Sequence, residues 1–204
     1  MSGVLGRTNW AAPPVWYRVE AEGLAATEAL IDALPIGSVV AIDGPVVGHA
    51  CRDRELTRLF DLGFDYESAM NSNHAVDLVS ARLMQAMALA GAPLAHLVVL
   101  PVREGRWGGQ VEGALRALEG ARQDGVVEHI GLRVAGPWHV VEPVWARHDA
   151  FEFVLTPAAM LEDVAPFALA RRVGVVVEGD TIGGQVRLVT VATKEGLREV
   201  SAVH

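Results

Sequence analysis

The sequence predicts an α/β protein with a largely parallel sheet, and three observations carry that prediction. Short β-branched runs alternate with helix-like segments along the chain, the order expected of successive βαβ units. Several of the runs, Leu97-Val-Val-Leu100 and Val175-Val-Val177 among them, are apolar without interruption, as in strands covered by helices. Gly91 and Gly125 stand where intervening helices would stop, the position at which glycine is preferred past a helix end. These patterns do not separate an open doubly wound sheet from a closed barrel.

Taken in order, strands are expected at 15–19, 38–42, 96–100, 128–134, 151–155, 174–179 and 186–193. Helices are expected at 23–34, 52–62, 73–90, 109–123, 138–147 and 159–172. In the fourth helix Val111, Leu115 and Leu118 share one face while Glu112, Arg116 and Glu119 lie elsewhere, which makes it amphipathic. Residues 63–66 run straight from the second helix towards the third, leaving too little chain for a strand between them. At the other end only 180–185 join the last two strands, and a parallel crossover normally takes a dozen or more residues. Asp180-Thr-Ile-Gly-Gly184 therefore reads as a hairpin turn, with the final strand antiparallel.

Composition narrows the class. The 204 residues form one domain, 1–204, with no linker-like stretch, and 51% of them are hydrophobic, at a mean hydropathy of +0.28. That is ample for a sizeable core and too apolar for a disordered chain. No uninterrupted apolar run reaches about 18 residues, so no membrane span is expected, and the first residues lack the order of a signal peptide. A single cysteine, Cys51, excludes an internal disulfide and fits a cytoplasmic location. The formal charge of −8 opposes binding to nucleic acid or anionic membrane.

Ala41-Ile-Asp-Gly-Pro-Val-Val-Gly-His-Ala50 resembles the second barrel strand of aldo/keto reductases, roughly Phe-Asp-Thr-Ala-Pro-Leu-Tyr-Gly-His-Gly. Residues 115–132 are similar to that family's fourth helix and fifth strand. Residues 161–184 look like its helix-six, strand-seven block. The Gly-Val-Val-Val-x-Gly ending is closest to the branch containing D-threo-aldose dehydrogenase, and Leu5-Gly-Arg-Thr8 matches its opening. The resemblance implies a (β/α) TIM-type barrel. Combined with the segment lengths it implies a trimmed one, lacking the third strand and ending in an antiparallel hairpin. A missing stave exposes sheet edges, so homo-oligomerisation is expected.

The resemblance also implies NADPH-dependent reduction by a tyrosine acid, a lysine, a histidine and an aspartate. Here Asp43 is present, but Val47 stands at the tyrosine position and Pro101 at the histidine position. The lysine belongs to the strand expected to be missing. Lys194, the chain's only lysine, is placed by an antiparallel final strand at the opposite rim. Ala135 replaces the asparagine that would hold nicotinamide, and no basic segment follows the last strand. The expectation is therefore no cofactor, with NADPH as the alternative.

What remains is a set of polar residues at the C-terminal ends of strands. Asp43, Glu178 and His49 are candidate acid–base groups, and Arg103, Arg133, Asp180 and Trp107 are candidate ligand contacts. Glu178 interrupts an apolar strand, so it must be protonated or paired, with Arg133 or Arg103. Three functions stay open: non-redox acid–base chemistry on a small molecule, a non-catalytic binding or assembly protein, or an NAD(P)H oxidoreductase completed by a partner chain. Tyr17 or Tyr66 beside Asp43 would favour the third. No metal-ligand spacing and no nucleophile elbow is present.

Overall fold

Alternating strands and helices wind into a closed, all-parallel barrel in the computed structural model, which describes residues 3–103, 108–179 and 185–202. A short antiparallel hairpin, β1 (Gly3–Val4) and β2 (Ala11–Ala12), precedes it. The staves are β3 (Val15–Val19), β4 (Val39–Ile42), β5 (Thr57–Asp61), β6 (Ala95–Val102), β7 (Val127–Val134), β8 (Phe153–Pro157), β9 (Gly174–Glu178) and β10 (Val186–Val191). They pair in chain order, and β10 closes the ring against β3. The helices are α1 (Leu24–Ile31), α2 (Pro45–Ala50), α3 (Ser72–Ala90), α4 (Gly108–Gln123), α5 (Trp138–Ala146), α6 (Leu161–Ala170) and α7 (Lys194–Ala202). Among the described residues no helix is long and apolar enough to cross a membrane.

The barrel type is as expected, but two details of the trimmed version are corrected. The third strand is present. Residues expected to continue a helix over 52–62 instead form β5, paired in parallel with β4 and β6. The helix before it is the six-residue α2, which starts on Pro45 at its first position, where proline's fixed φ suits a helix start. Arg58 of β5 is buried and faces the helical layer. Its guanidinium donates to the carbonyls of Cys51, at 2.8 Å, and Arg54, at 3.0 Å, just past the C-terminus of α2.

The final strand is not half of an antiparallel hairpin. β10 lies parallel to both β9 and β3. The seven residues 179–185 that join it to β9 reach at most about 25 Å, which suffices to return along a strand of five residues. The usual dozen-residue requirement assumes a helix in the crossover. With every stave in place, the open edge from which oligomerisation was inferred does not exist. Lys194 moves as well: a parallel β10 carries it to the C-terminal face, where it opens α7 as an exposed residue.

Two apolar shells hold the barrel. Side chains between sheet and helices form the larger, including Val40, Phe60, Val98, Leu118, Ile130, Val154 and Trp145. The smaller fills the interior with Trp16, Val39, Ala41, Leu59, Leu97, Val99, Phe153, Leu155, Val176 and Leu188, as expected of a barrel whose inward positions pack in layers. Trp16 meets the Phe153 ring edge-on at 5.9 Å. The hairpin closes the N-terminal end: Leu5 and Ala12 are buried in this inner shell. Arg7 anchors it, donating to Asp149 Oδ1 at 3.0 Å and to the Phe151 carbonyl at 2.9 Å.

Gly131 leaves the room that Phe153 occupies, because a Cβ there would run into the ring. Gly131→Ala is expected to cost about 1–3 kcal/mol through overpacking, read as a lowered urea midpoint. Adding Phe153→Leu should recover part of that loss; no recovery would mean that the contact is not what limits residue 131.

Candidate functional site

Strand alternation decides which side chains reach the barrel mouth. Trp16, Ala41, Leu59 and Val176 all belong to the interior shell, and an added Cβ at Gly131 also points into it. Two residues beyond each comes a charge: Arg18, Asp43, Asp61, Arg133 and Glu178. Five strands thus place charged groups above the apolar interior, at the C-terminal face where active sites of such barrels lie.

These groups form one chain of alternating sign. Arg133 Nη1 donates to Asp61 Oδ2 at 2.6 Å. Arg133 Nε stands 3.5 Å from Glu178 Oε1, an ion pair without a hydrogen bond. The same Glu178 oxygen accepts from Arg18 Nη2 at 2.9 Å. Arg18 Nε, finally, lies 3.5 Å from Asp43 Oδ2. Three carboxylates against two guanidiniums leave the mouth with a net negative charge when all are ionised.

Exposure differs among the five groups. The Asp61 side chain keeps 7% of its surface, Arg18 and Glu178 15%, Arg133 28% and Asp43 39%. Asp61 is fixed further by the Gly63 N–H, which donates to its Oδ1 at 3.0 Å. Asp43 is the accessible end. Partial burial raises its carboxyl above the ordinary aspartate value, Arg18 and its own backbone N–H oppose the rise, and the charges of Asp61 and Glu20 add to it. A carboxyl shifted that way holds its proton to higher pH, as acid–base chemistry requires.

The sequence-predicted residues divide clearly. Asp43, Glu178 and Arg133 are brought together. His49 sits on the exposed side of α2, and no described contact joins it to them. Arg103 lies at the rim, paired with Glu67 at 2.6 Å and standing over the Phe64 ring at 4.4 Å, rather than with Glu178. Asp180 and Trp107 fall outside the described residues. Arg18 and Asp61 are members that sequence reasoning missed. Arg18 carried the same signal as Glu178, a charge inside an apolar strand.

Neither tyrosine joins the mouth. Tyr66 is buried in the turn Asp65–Ser68, where its hydroxyl donates to the Pro101 carbonyl at 2.7 Å. Burial raises its pKa strongly. Tyr17 belongs to the outer shell, on the face of β3 opposite Arg18. The buried Cys51 thiol is pushed up to about 11 by desolvation, which makes it a poor nucleophile. Among the described residues no cluster of three or more histidine, cysteine or acidic side chains is arranged to hold a metal.

No protein-family model matches the sequence, and no curated protein matches it significantly. Solved structures match its fold closely. Aldo-keto reductase AKR11C1 from Bacillus halodurans, in its apo form, superimposes with a TM-score of 0.76 at 12% identity, covering 100% of this chain and 90% of that one. Its holo form gives 0.74 at 12%, over 98% and 89%. The thermostable aldo-keto reductase Tm1743, in complex with the inhibitor epalrestat, gives 0.73 at 12%, over 100% and 94%. The chain therefore has the fold of the aldo-keto reductases.

Two outcomes follow from the charge chain. Arg18→Met strands Glu178 and Asp43 together and should cost about 2–3 kcal/mol. Arg18→Met with Glu178→Met should cost less than the two single changes added; simple additivity in denaturation midpoints would mean that the pair is uncoupled. The Asp43 carboxyl has a raised folded pKa, so its contribution is fully present at low pH and is lost as pH rises through that pKa. Asp43→Asn should flatten the decline in stability above pH 3.8, the ordinary value; an unchanged slope would contradict the shift.

Proposed function

We propose that the chain is a diverged aldo/keto reductase-type barrel that binds a small polar molecule at its C-terminal mouth and performs non-redox acid–base chemistry on it. The observation that carries this is the inward chain Asp61–Arg133–Glu178–Arg18–Asp43, ending in a raised and accessible carboxyl. Buried ion pairs are weak contributors to stability compared with apolar packing, so a barrel needs no such layer merely to stay closed. Asp43 exchanges the proton with the ligand. Arg18 and Glu178 are positioning residues that hold Asp43 through the network. Arg133, the more exposed of the two mouth guanidiniums, offers N–H groups to an oxygen of the ligand, and Arg103 stands at the rim. His49 receives no role.

The residues of the mouth itself argue against a nicotinamide dinucleotide. Both mouth guanidiniums are paired with carboxylates that outnumber them, which leaves neither uncommitted for its pyrophosphate. Ala135, at the place where the resemblance puts an amide-binding asparagine, has only a methyl group. The first turn of α7, beyond the last strand, sets Glu195 beside a single exposed lysine, Lys194. Val47 and the committed Tyr66 hydroxyl leave no tyrosine acid at the mouth. A second reading, binding without catalysis, is favoured by one observation: each of the five charges already has a partner within the chain.

Titration with NADPH and NADH by calorimetry tests the first exclusion. No binding at millimolar cofactor is expected; micromolar binding would return the protein to redox chemistry. A thermal-shift screen of small hydroxy, keto and amino acids should then find stabilising ligands whose effect is lost in Arg133→Gln. Turnover of such a ligand that disappears in Asp43→Asn supports acid–base chemistry. Ligand binding without turnover supports the second reading.

A further inference from the structure

A cavity of about 470 Å³ opens at the opposite end of the barrel, lined by Trp10, Thr57, His96, Leu97, Glu128 and His129 among others. We propose that it is a second binding site, for a small flat cation of the aromatic amine or amidine class. Its size falls within the ordinary range of small-molecule pockets, about 300–1,000 Å³. The N-terminal hairpin supplies one wall: the Trp10 ring packs at 6.0 Å on Trp16, which is buried in the barrel interior.

The polar lining of this cavity includes a carboxylate and two imidazoles. His129 Nδ1 lies 3.3 Å from Glu152 Oε2, which also accepts from the Ile130 N–H at 3.3 Å and has Arg122 at 3.6 Å. Burial would raise the Glu152 carboxyl, but His129, the Ile130 N–H and Arg122 together hold it below its ordinary value. A carboxylate can only accept, so Nδ1 carries a proton, and whenever the ring is neutral Nε2 keeps its lone pair. Nε2 stands on the side of Glu128, 4.0 Å from Oε1. His96, on the neighbouring strand, adds a second imidazole to the wall. The half-exposed Glu128 carboxylate supplies a negative charge at the edge.

Such a lining wants donors. An amidinium or arylammonium gives N–H groups to Glu128 and His129 Nε2 while its ring lies on Trp10, where a cation or a flat ring is attracted. An anion of the same shape would face Glu128. The chain's charge of −8 favours cations from a distance. The site lies at the strand N-termini, remote from the acid–base chain at the mouth, and its occupation does not depend on that chemistry.

Benzamidine is the probe, with benzoate as the isosteric anion, titrated into the full chain at pH 8 by calorimetry and tryptophan fluorescence. Benzamidine should saturate, with benzoate weaker by at least about tenfold, roughly the value of one charge-assisted contact. The ring signals of His96 and His129 should shift in NMR spectra while those of His49 and His74 stay still. Glu128→Gln should weaken benzamidine about tenfold with an unchanged melting midpoint. Equal affinity for the two probes, no saturation by about 10 mM, or shifts confined to other histidines would overturn the proposal.

Discussion

A guanidinium or carboxylate pointed into the end of a closed barrel has little water to solvate it, so it must find its countercharge on another strand. That constraint organises the mouth of this protein. Arg18 comes from β3, Asp43 follows β4, Asp61 comes from β5, Arg133 from β7 and Glu178 from β9. Each sits two residues above an apolar or glycine position of the interior, so the strand period that fills the barrel also lines up the charges. Their mutual neutralisation requires five strands to hold the right register at once. The layer therefore depends on the barrel being closed, and β10, pairing both β9 and β3, completes that closure.

The two ends of the barrel are chemically different. At the C-terminal end three carboxylates and two guanidiniums satisfy one another, and only Asp43 is left substantially open. At the N-terminal end a hairpin plugs the interior, and His96, His129 and Glu128 line a cavity. The apolar shell of Trp16, Phe153, Leu59 and their neighbours separates the two. Gly131 permits that shell to close by giving the Phe153 ring its space.

Much of the barrel was legible because its strands are short, apolar and punctuated. The bounds of β3 follow from Val15–Val19 alone, and the helix ends at Gly91 and Gly125 sit within a residue or two of the expected places. β5 was not legible. Arg58 and Asp61 make Thr57–Asp61 look like part of an exposed helix, whereas one donates to carbonyls past α2 and the other accepts from Arg133. The orientation of β10 was missed because connection length predicts direction only when the crossover carries a helix. At the mouth, parity would have found Arg18 and Asp61, but parity needs the strands to be assigned first, and β5 was not. His49 resembled a site residue through its neighbours in a motif, and α2 turns it outward.

The account rests on Asp43 being electrostatically tied to Arg18 at the end of a shared network. The measurement that tests this most directly is an NMR titration of the Asp43 carboxyl carbon, in the wild-type chain and in Arg18→Lys and Arg18→Met. The account predicts a wild-type value above that of an ordinary aspartate, and a further rise in Arg18→Met, because the neighbouring cation is the main influence holding it down. Arg18→Lys, which keeps the charge, should fall between them. An ordinary value that is indifferent to residue 18 would contradict the network and, with it, the assignment of Asp43.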